Sequence, residues 1–451
     1  MIVERQAPQP TIKCYHSVEN GAATKKLYQE FTPNSSNISG KNLQSYNFER
    51  SLDNFGGSFS FTVKEDIIGV EEEKNTFMDQ VEPLDIIVIS ESGTEKIDFI
   101  GVVTTVSIGG IASNLNKVVT VSGKSIEWLF TYLNINCDIK IAIFNNASAN
   151  ATMKTDFADE NGTTGFSIKK TVSASIATFR GQVEKNKTIS NFIVGEIIDN
   201  WFIGDYIDAD SDTFAYPISS DMFQMGKVNV IDFIKKLLPP PIYEIYCYID
   251  DDNPKLRVRK VPFDNPESET SIKPEILTDY TLTRNCEEVY TSFLTYIEGT
   301  KLSPDYWMNL QAAEGELKGY NFSQTNLIKV GMYGFQLLTC SFVGYNSSSK
   351  SKLDEDTIKT LNQDLERWFS RLDEMYSGDF TMVNLVNSTN AKMGEWVRFA
   401  KGLYYVVSER HSWNYGDNPM LNYQVIRGGE YSKGEFKPIS KLSAIYKEFE
   451  E

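Results

Sequence analysis

In the segment Gly56-Gly57-Ser58-Phe59-Ser60-Phe61-Thr62-Val63, two glycines are followed by apolar residues that alternate with small polar ones. A period of two is typical of a strand with one buried face. The preceding residues, Asp53 to Gly57, have the composition of a turn. The stretch therefore predicts a turn followed by a half-buried strand.

Further strand patterns follow along the chain, at Val81–Ser90, Ile97–Val106 and Val118–Ser122. A short helix is predicted at Ser125–Leu133. These segments form a meander of roughly 90 residues, which is enough for one small antiparallel barrel or sandwich.

A second β block is predicted at Phe380–Arg427, after a long helix at Leu353–Tyr376 that ends before Gly378. Ser351 and Asp354 resemble a capping box for this helix. Its apolar stripe, which is more typical of a core than of a ligand groove, comprises Ile358, Leu361, Leu365, Trp368, Leu372 and Met375.

The two β blocks repeat the same features in the same order. An acidic residue opens a strand, a strand with two adjacent valines follows, and a third strand is followed by glycine. The first block has these features at 85–89, 99–103 and 118–123, and the second has them at 395–399, 403–407 and 421–428. This order favours an internal duplication, although any two antiparallel meanders would share part of it.

Between the blocks, a helix is predicted at Val230–Leu238 with Asn229 as its N-cap. It stops at three consecutive prolines, and a hairpin follows with strands at Tyr243–Ile249 and Lys255–Val261. Residues 134–187 are weakly patterned and indicate an inserted lobe. A further helix, with a stripe that favours a core, carries Ile189, Phe192, Ile193, Ile197, Trp201 and Phe202.

The net charge of the 451 residues is −17. Such a surface repels phosphates, so stable nucleic-acid binding is not expected. No apolar run is long enough to span a bilayer, and no membrane insertion is expected. The first ten residues lack the apolar core of a secretion signal, which predicts synthesis in the bacterial cytoplasm.

Candidates for chemistry are few. The chain has two histidines, His16 and His411, and five widely spaced cysteines, which predict reduced, buried thiols. His411 is expected just after a strand. The acidic run from Asp250 to Asn253 lacks the glycine and distal glutamate of an EF-hand and favours a solvated hairpin tip. We therefore expect no catalytic residue, metal or cofactor, although carboxylate pairs for glycoside hydrolysis stay open.

Several motifs, taken in order, resemble those of the phage tail baseplate hub family, which includes the late-control protein D type and myophage hubs. These are the glycine-then-β opening at Gly56–Thr62 and the strand Asp98-Phe99-Ile100-Gly101-Val102-Val103. Two further motifs complete the set: the strand Val119–Lys124 with the helix from Ile126, and the strand Leu403–His411 with Arg427-Gly428-Gly429. The resemblance covers about two thirds of the chain, and residues 134–227 depart from it.

The resemblance implies a mainly β (α+β) fold with two tube-type antiparallel β-barrels plus inserted lobes. It also implies a structural, non-enzymatic hub of a contractile tail, assembled into a virion or tail-like particle. The hub is a homotrimer that joins a hexameric tail tube protein to a trimeric spike protein, beside other baseplate proteins. An acidic passage through the ring would not retain DNA. The alternatives are a tail-associated cell-wall hydrolase and a tip receptor or carbohydrate-binding β protein.

On this view the chain divides into six parts. They are an N-terminal arm (1–40), the first tube-type β-barrel (41–133), an inserted lobe with helices and a hairpin (134–276), a connecting β region (277–350), the long helix with the second tube-type β-barrel (351–432) and a C-terminal tail (433–451).

The tail carries the one candidate docking site. Leu442, Ile445, Tyr446 and Phe449 are spaced to form one apolar face of a short helix over Ser440–Glu451. So short a helix needs a surface to cover it. That surface is either this chain itself or a partner.

Overall fold

The computed structural model is mainly β, with several helices, as the sequence predicts. It describes residues 10–19, 22–32, 43–66, 77–91, 96–110, 116–132, 134–136, 207–212, 214, 227–250, 253–266, 269–297, 322–325, 327–342, 355–384, 390–432 and 435–439. The predicted helix over 189–202 and the C-terminal helix lie outside these residues.

The described strands are numbered in chain order. They are β1 Thr11–Glu19, β2 Ala22–Phe31, β3 Leu43–Ser51, β4 Ser58–Asp66, β5 Ile86–Ser90, β6 Phe99–Gly110, β7 Asn116–Ser125, β8 Asn134–Asn136, β9 Asp208–Ser211, β10 Lys227–Asn229, β11 Tyr243–Asp250, β12 Asn253–Lys260, β13 Glu269–Ser271, β14 Leu277–Thr283, β15 Ser292–Ile297, β16 Phe322–Thr325, β17 Leu337–Phe342, β18 Tyr376–Val383, β19 Trp396–Phe399, β20 Gly402–Asn414, β21 Met420–Ser432 and β22 Glu435–Lys437.

The described α-helices are α1 Phe77–Gln80, α2 Trp128–Tyr132, α3 Val230–Leu237, α4 Leu327–Tyr333 and α5 Glu355–Phe369. Two 3₁₀ turns lie at Pro274–Ile276 and Leu372–Glu374. The Asn229 cap of α3 is confirmed, because its side chain accepts a 2.7 Å hydrogen bond from the backbone NH of Asp232.

Helix α5 is shorter than predicted. It ends at Phe369, and a 3₁₀ turn then leads into β18 at Tyr376. Gly378, predicted to end the helix, lies inside that strand, where an added Cβ would stand 1.8 Å from the Thr281 carbonyl oxygen. The last two residues of the predicted stripe lie beyond the helix: Leu372 is in the 3₁₀ turn, and Met375, which is buried, directly precedes β18.

A 14-stranded sheet contains both β blocks. Its main path runs β14-β18-β21-β20-β3-β4-β7-β6-β5-β1-β2. Off this path, β19 pairs with β20, β13 pairs with β19, and β22 pairs with β21. The segment predicted as an N-terminal arm supplies β1 and β2, and β14, from the predicted connecting region, lies beside β18.

The sheet is built from two equivalent halves. In the first repeat, strands β3 to β7 are arranged in the order β3-β4-β7-β6-β5. In the second repeat, β14, β18, β19, β20 and β21 are arranged in the order β14-β18-β21-β20-β19, and every neighbouring pair in both halves is antiparallel. When the five strands of each half are numbered 1 to 5 along the chain, both halves have the spatial order 1-2-5-4-3.

Two register shifts recur in both halves, whereas the shifts at Tyr376/Gly378 and Leu403/Tyr405 occur, among the described strands, in the second half only. The β3–β4 pair shifts register between Leu43 and Ser45, and the β14–β18 pair shifts between Leu277 and Asp279. The β6–β7 pair shifts between Val103 and Thr105, and the β20–β21 pair has a shift between Val406 and Ser408. When the residues of the two halves are matched through their strand pairings, these recurring bulges fall at the same positions in both halves. Bulges are specific features of a fold, so the coincidence identifies a duplication.

The acidic residue that opens β5 and β19 has the same structural role in both repeats. The Asp85 carboxylate accepts a 2.9 Å hydrogen bond from the NH of Glu82, and the Glu395 carboxylate accepts one of 2.8 Å from the NH of Lys392. The residues before them, Leu84 and Gly394, have φ of 76° and 83°. The recurring carboxylate therefore caps a turn, and it is not a catalytic signal.

Each repeat has its own core, and a third core joins them. Phe48, Phe59 and Phe61 lie in the first core, and Phe380 and Tyr423 lie in the second. The third core contains α3, the β11–β12 hairpin and α5. The predicted helix stripe is buried in it at Ile358, Leu361, Leu365 and Trp368.

A close contact in the first repeat supplies a test of its packing. A Cβ added at Gly101 would lie 2.5 Å from two carbons of the Phe59 ring. We expect Gly101→Ala to lower the free energy of unfolding by about 1–3 kcal/mol, because the core would be overpacked. Gly331→Ala is the matched control, since nothing lies within 4 Å of its Cβ position in α4. It should be neutral or stabilising in urea denaturation, and equal losses in both variants would contradict this account.

Candidate functional site

Several described residues that the sequence marked as candidates for chemistry make structural contacts. Within the described ranges, no cluster of three His, Cys, Asp or Glu side chains could hold a metal ion. Of the cysteines described, Cys14, Cys247 and Cys340 are buried, as expected, whereas Cys286 is exposed. Burial raises the pKa of the Cys340 thiol to about 12, which keeps it in its unreactive form.

His411 lies inside β20, not just after a strand as predicted, and it is buried. Its Nδ1 lies 2.7 Å from Glu91 Oε2, and its ring stacks on Phe48 with centroids 4.3 Å apart. Burial disfavours the charged ring, but the carboxylates of Glu91, Glu409 and Asp98 outweigh it and raise the pKa of His411. His411 therefore belongs to an ionic network inside the protein.

The same network joins the two repeats. Tyr46 of β3 donates a 2.7 Å hydrogen bond to Glu91 Oε1, and the amide of Asn384, after β18, donates one of 2.6 Å to Oε2. Arg50 of β3 forms an ion pair with Glu409 of β20. Burial opposes ionisation of Glu409, but Arg50 and His411 prevail and lower its pKa. We call the β3–β20 pair with these side chains the seam.

The motif Arg427-Gly428-Gly429 also has a structural role. Arg427 is buried, has a φ of 59°, and donates a hydrogen bond to the backbone oxygen of Trp368 at the end of α5. Its guanidinium lies 3.8 Å from the ring centroid of Phe263, a cation–π contact. Burial lowers the pKa of Arg427 to about 9. The motif thus fastens α5 against β21.

A second buried ion pair attaches the β11–β12 hairpin to the second repeat. Arg259 Nε donates a 2.6 Å hydrogen bond to Glu244, and Tyr405 of β20 donates one of 2.7 Å to the same carboxylate. Burial raises the pKa of Glu244, although Arg259 counteracts it. At the hairpin tip, Asp250 accepts a 2.7 Å hydrogen bond from Lys255, and Asp251 and Asp252 lie outside the described residues.

A small cavity lies between the first repeat and the β11–β12 hairpin. Its volume is about 10 Å³, and its lining includes Arg50, Ser125, Glu127 and Cys247. That is the space of a single water molecule. It is too small for a sugar or a peptide.

The largest candidate site is one face of the joined sheet. Residues directly opposite each other on neighbouring strands share a face, so the pairing defines rows that cross the sheet. On the face opposite the aromatic cores, four rows carry mostly polar side chains, and the third of them continues from Ser412 to the apolar Met420 and Val383. The four rows are Asp279-Thr381-Asn422-Arg410-Glu49-Ser58-Lys124, Thr281-Asp379-Gln424-Ser408-Ser51, Ser412-Asn47-Ser60-Ser122-Thr105 and Asn414-Ser45-Thr62-Thr120-Ser107.

We call these 22 residues the polar face. Hydroxyls and amides dominate it, and its charged members are three acidic residues, Asp279, Asp379 and Glu49, and two basic ones, Arg410 and Lys124. Hydrogen bonds run along the rows, including 2.8 Å from Asn422 Nδ2 to Thr381 Oγ1 and 3.0 Å from Ser58 Oγ to Glu49 Oε1. The face is almost neutral although the chain carries −17.

The sequence indicated this face only in part. The alternation at Ser58, Ser60 and Thr62 was visible, but the pairing that extends it through β3 and β20 into the second repeat was not. The predicted docking residues Leu442, Ile445, Tyr446 and Phe449 lie outside the described residues.

The His411 network supplies a pH-dependence test. Because the pKa of His411 is raised in the folded protein, its contribution to stability is fully present below its ordinary pKa of about 6.5. That contribution is lost as the pH rises through the folded pKa, by up to about 1.4 kcal/mol per pH unit. Urea denaturation from pH 5.5 to 9 should show this loss in the parent protein and not in His411→Gln.

The control is His16→Gln, which changes the other histidine. His16 contacts Asp85 and Tyr28 in the outer strands of the first repeat, so the variant should keep the loss. An unchanged pH dependence in His411→Gln would contradict the assignment.

Similar solved structures are phage tail and type VI secretion proteins. A 43 kDa tail protein of prophage MuSo2 from Shewanella oneidensis is 8% identical, with 94% of this chain and 98% of that chain covered and a TM-score of 0.47. The prophage tail protein gp18 from Listeria monocytogenes is 10% identical, with coverage of 97% and 98% and a TM-score of 0.46.

The c3393 protein of the type VI secretion system of E. coli is 8% identical, with 88% of this chain and 76% of that chain covered and a TM-score of 0.41. No protein-family model matches the sequence, and no curated protein matches it.

Proposed function

We propose that this chain is a structural baseplate hub of a contractile phage tail or a phage-tail-like particle. In this role three copies form a ring that joins a hexameric tail tube to a trimeric spike and helps to initiate tube assembly. The observation that carries the proposal is the duplication. Two equivalent units per chain give a threefold ring six equivalent units, which is what a sixfold tube and a threefold spike require of an adaptor.

The polar face supports the same role. A surface of hydroxyls and amides stays hydrated, and its nearly balanced charge gives a passing polyanion neither a strong attraction nor a strong barrier. If this face lines the opening of the ring, DNA or protein cargo could pass without binding. The tail tube, the spike and other baseplate proteins are then the partners, and no cofactor is needed.

The role is proposed to be non-enzymatic. The polar residues that drew attention in the sequence cap turns, pair across the seam or hold α5 against the sheet. None of the described helices is long and apolar enough to cross a membrane. A cell-wall hydrolase or a carbohydrate-binding tip protein is the competing function, and turnover of peptidoglycan or binding of glycans by the purified chain would favour it.

The first test locates the polar face in the assembled particle. In a background with Cys137 and Cys286 changed to serine, Ser60→Cys on the polar face and Ile328→Cys on α4 each receive a maleimide-gold label. Negative-stain images should show a threefold ring with the Ser60 label inside the opening and the Ile328 label outside it. A Ser60 label on the outer rim would contradict the proposed passage.

The second test concerns the C-terminal tail. We propose that Leu442, Ile445, Tyr446 and Phe449 dock onto a neighbouring copy or the spike. Ile439 is buried in the core of the second repeat, so the deletion should begin after it and remove residues 440–451. The melting temperature of the monomer should then stay unchanged while association is lost. A lowered melting temperature with intact association would show that the tail docks on its own chain.

A further inference from the structure

The two repeats are joined by the pairing of an edge of β20 with an edge of β3. The equivalent pair of edges occurs a second time in the chain, where the described strands leave it unpaired. On one edge of β20, Trp396–Phe399 of β19 pairs with the first half, and β3 pairs with Ser408–Asn414. The second half of β20 is therefore the edge that accepts the first strand of the other repeat.

The equivalent edge in the first repeat lies on β6. Its first part, Phe99–Val102, pairs with β5, as the first half of β20 pairs with β19. The remainder, Thr105–Gly110, pairs with β7 on one side. On its other side, no strand among the described residues pairs with it.

The equivalent of β3 also has an open edge. Counting along the ladders, β14 occupies in the second repeat the place of β3 in the first, and it ends the main path of the sheet. Among the described strands, β14 pairs only with β18. One molecule thus carries both edges of a second seam, at the two ends of its duplicated unit.

We propose that β6 of one copy pairs with β14 of a second copy, antiparallel and in the register of the seam. Transferring the β3–β20 pairing to the equivalent residues sets Ser107 opposite Thr283, Ile108 opposite Leu282 and Gly109 opposite Thr281. This is an edge-to-edge strand addition between identical chains. The contact is heterologous, so it closes into a ring when the rotation between copies permits.

The side chains fit this register on both faces. Ser107 belongs to the polar face, and opposite it Thr283, which faces Ser377 on β18, extends that face into the next copy. On the other face, Ile108 is 59% exposed, whereas its equivalent, His411, is 8% exposed and stacks on Phe48. Leu282 is the equivalent of Phe48, so the pairing covers Ile108 with an apolar partner.

One difference concerns charge. The ion pair of the seam joins Arg50 to Glu409, and the equivalent residues are Arg284 and Val106. The contact between copies therefore lacks that ion pair. Because the copies are separate molecules, their association should be reversible and should depend on concentration.

The proposal rests on the duplication and the open edges, and it supplies the proposed ring with its contact. The test uses the full chain with Cys137 and Cys286 changed to serine. Ser107→Cys and Thr283→Cys are purified separately, mixed and oxidised. A disulfide-linked dimer should form in the mixture and in neither variant alone, because opposed strand residues have the Cα separation that a disulfide needs.

The register control is Ser107→Cys mixed with Asp279→Cys. Asp279 lies on the same face of β14, four residues from Thr283, so it is displaced by about 13 Å along the strand. This pair should give little product. Equal product from both mixtures, or none from either, would overturn the proposed interface.

A second experiment measures association by sedimentation. Ile108→Lys should weaken it at least tenfold without lowering the melting temperature, because Ile108 is exposed in the single chain. Ile328→Lys is the matched control, since Ile328 is also apolar and 79% exposed. Parent-like association of Ile108→Lys would contradict the proposal.

The two proposals can fail separately. A threefold ring that gives no cross-link between positions 107 and 283 would leave the hub role standing and exclude this interface. A cross-link that forms in open chains of copies, without threefold rings, would support this interface and contradict the hub role.

Discussion

The pairing of β3 with β20 determines how the two repeats, and with them the polar face, are arranged. Seven residue pairs along these strands turn two five-stranded units into one sheet with a common polar face and a common buried side. The strands come from distant parts of the chain, so the contact is non-local and its loop-closure entropy must be offset by burial. Phe48, Tyr46 and Trp413 provide that burial beside the seam.

The buried charges at the seam act on its register more than on its strength. Removing Arg50 and Glu409 from water costs several kcal/mol per ion, which their attraction largely offsets and does not greatly exceed. A slip of one residue would turn their side chains onto the polar face and bring its polar residues against the aromatic core. The ion pair and the Glu91–His411 contact therefore penalise wrong pairings, and we infer that the seam retains them for specificity.

The sequence allowed the β class, the first repeat and the cap of α3 to be predicted, because alternation and capping are local signals. It also indicated the order of the duplicated motifs, but the valines were matched one residue out of register. Val103, not Val102, is equivalent to Val406, since the pairing of β5 with β6 and of β19 with β20 fixes the alignment. β14 was not located within the predicted connecting β region, because four of its seven residues are exposed and its apolar alternation covers only Tyr280 to Thr283. The polar face depends on pairing between distant strands, which no local pattern encodes.

Because of the duplication, the seam within one chain and the proposed contact between copies have the same geometry but form under different conditions. The seam lies within one chain, so its strands meet at an effective concentration in the millimolar range or above and can tolerate the cost of buried charges. A junction between copies forms only at the concentration of free protein, and each desolvated charge there would weaken it. The residues that replace Glu409 and His411 at the open edge are Val106 and Ile108, which carry no charge. The β6 edge has thus diverged in the direction that a junction between separate chains requires, whereas the β14 edge keeps the charge of Arg50 as Arg284.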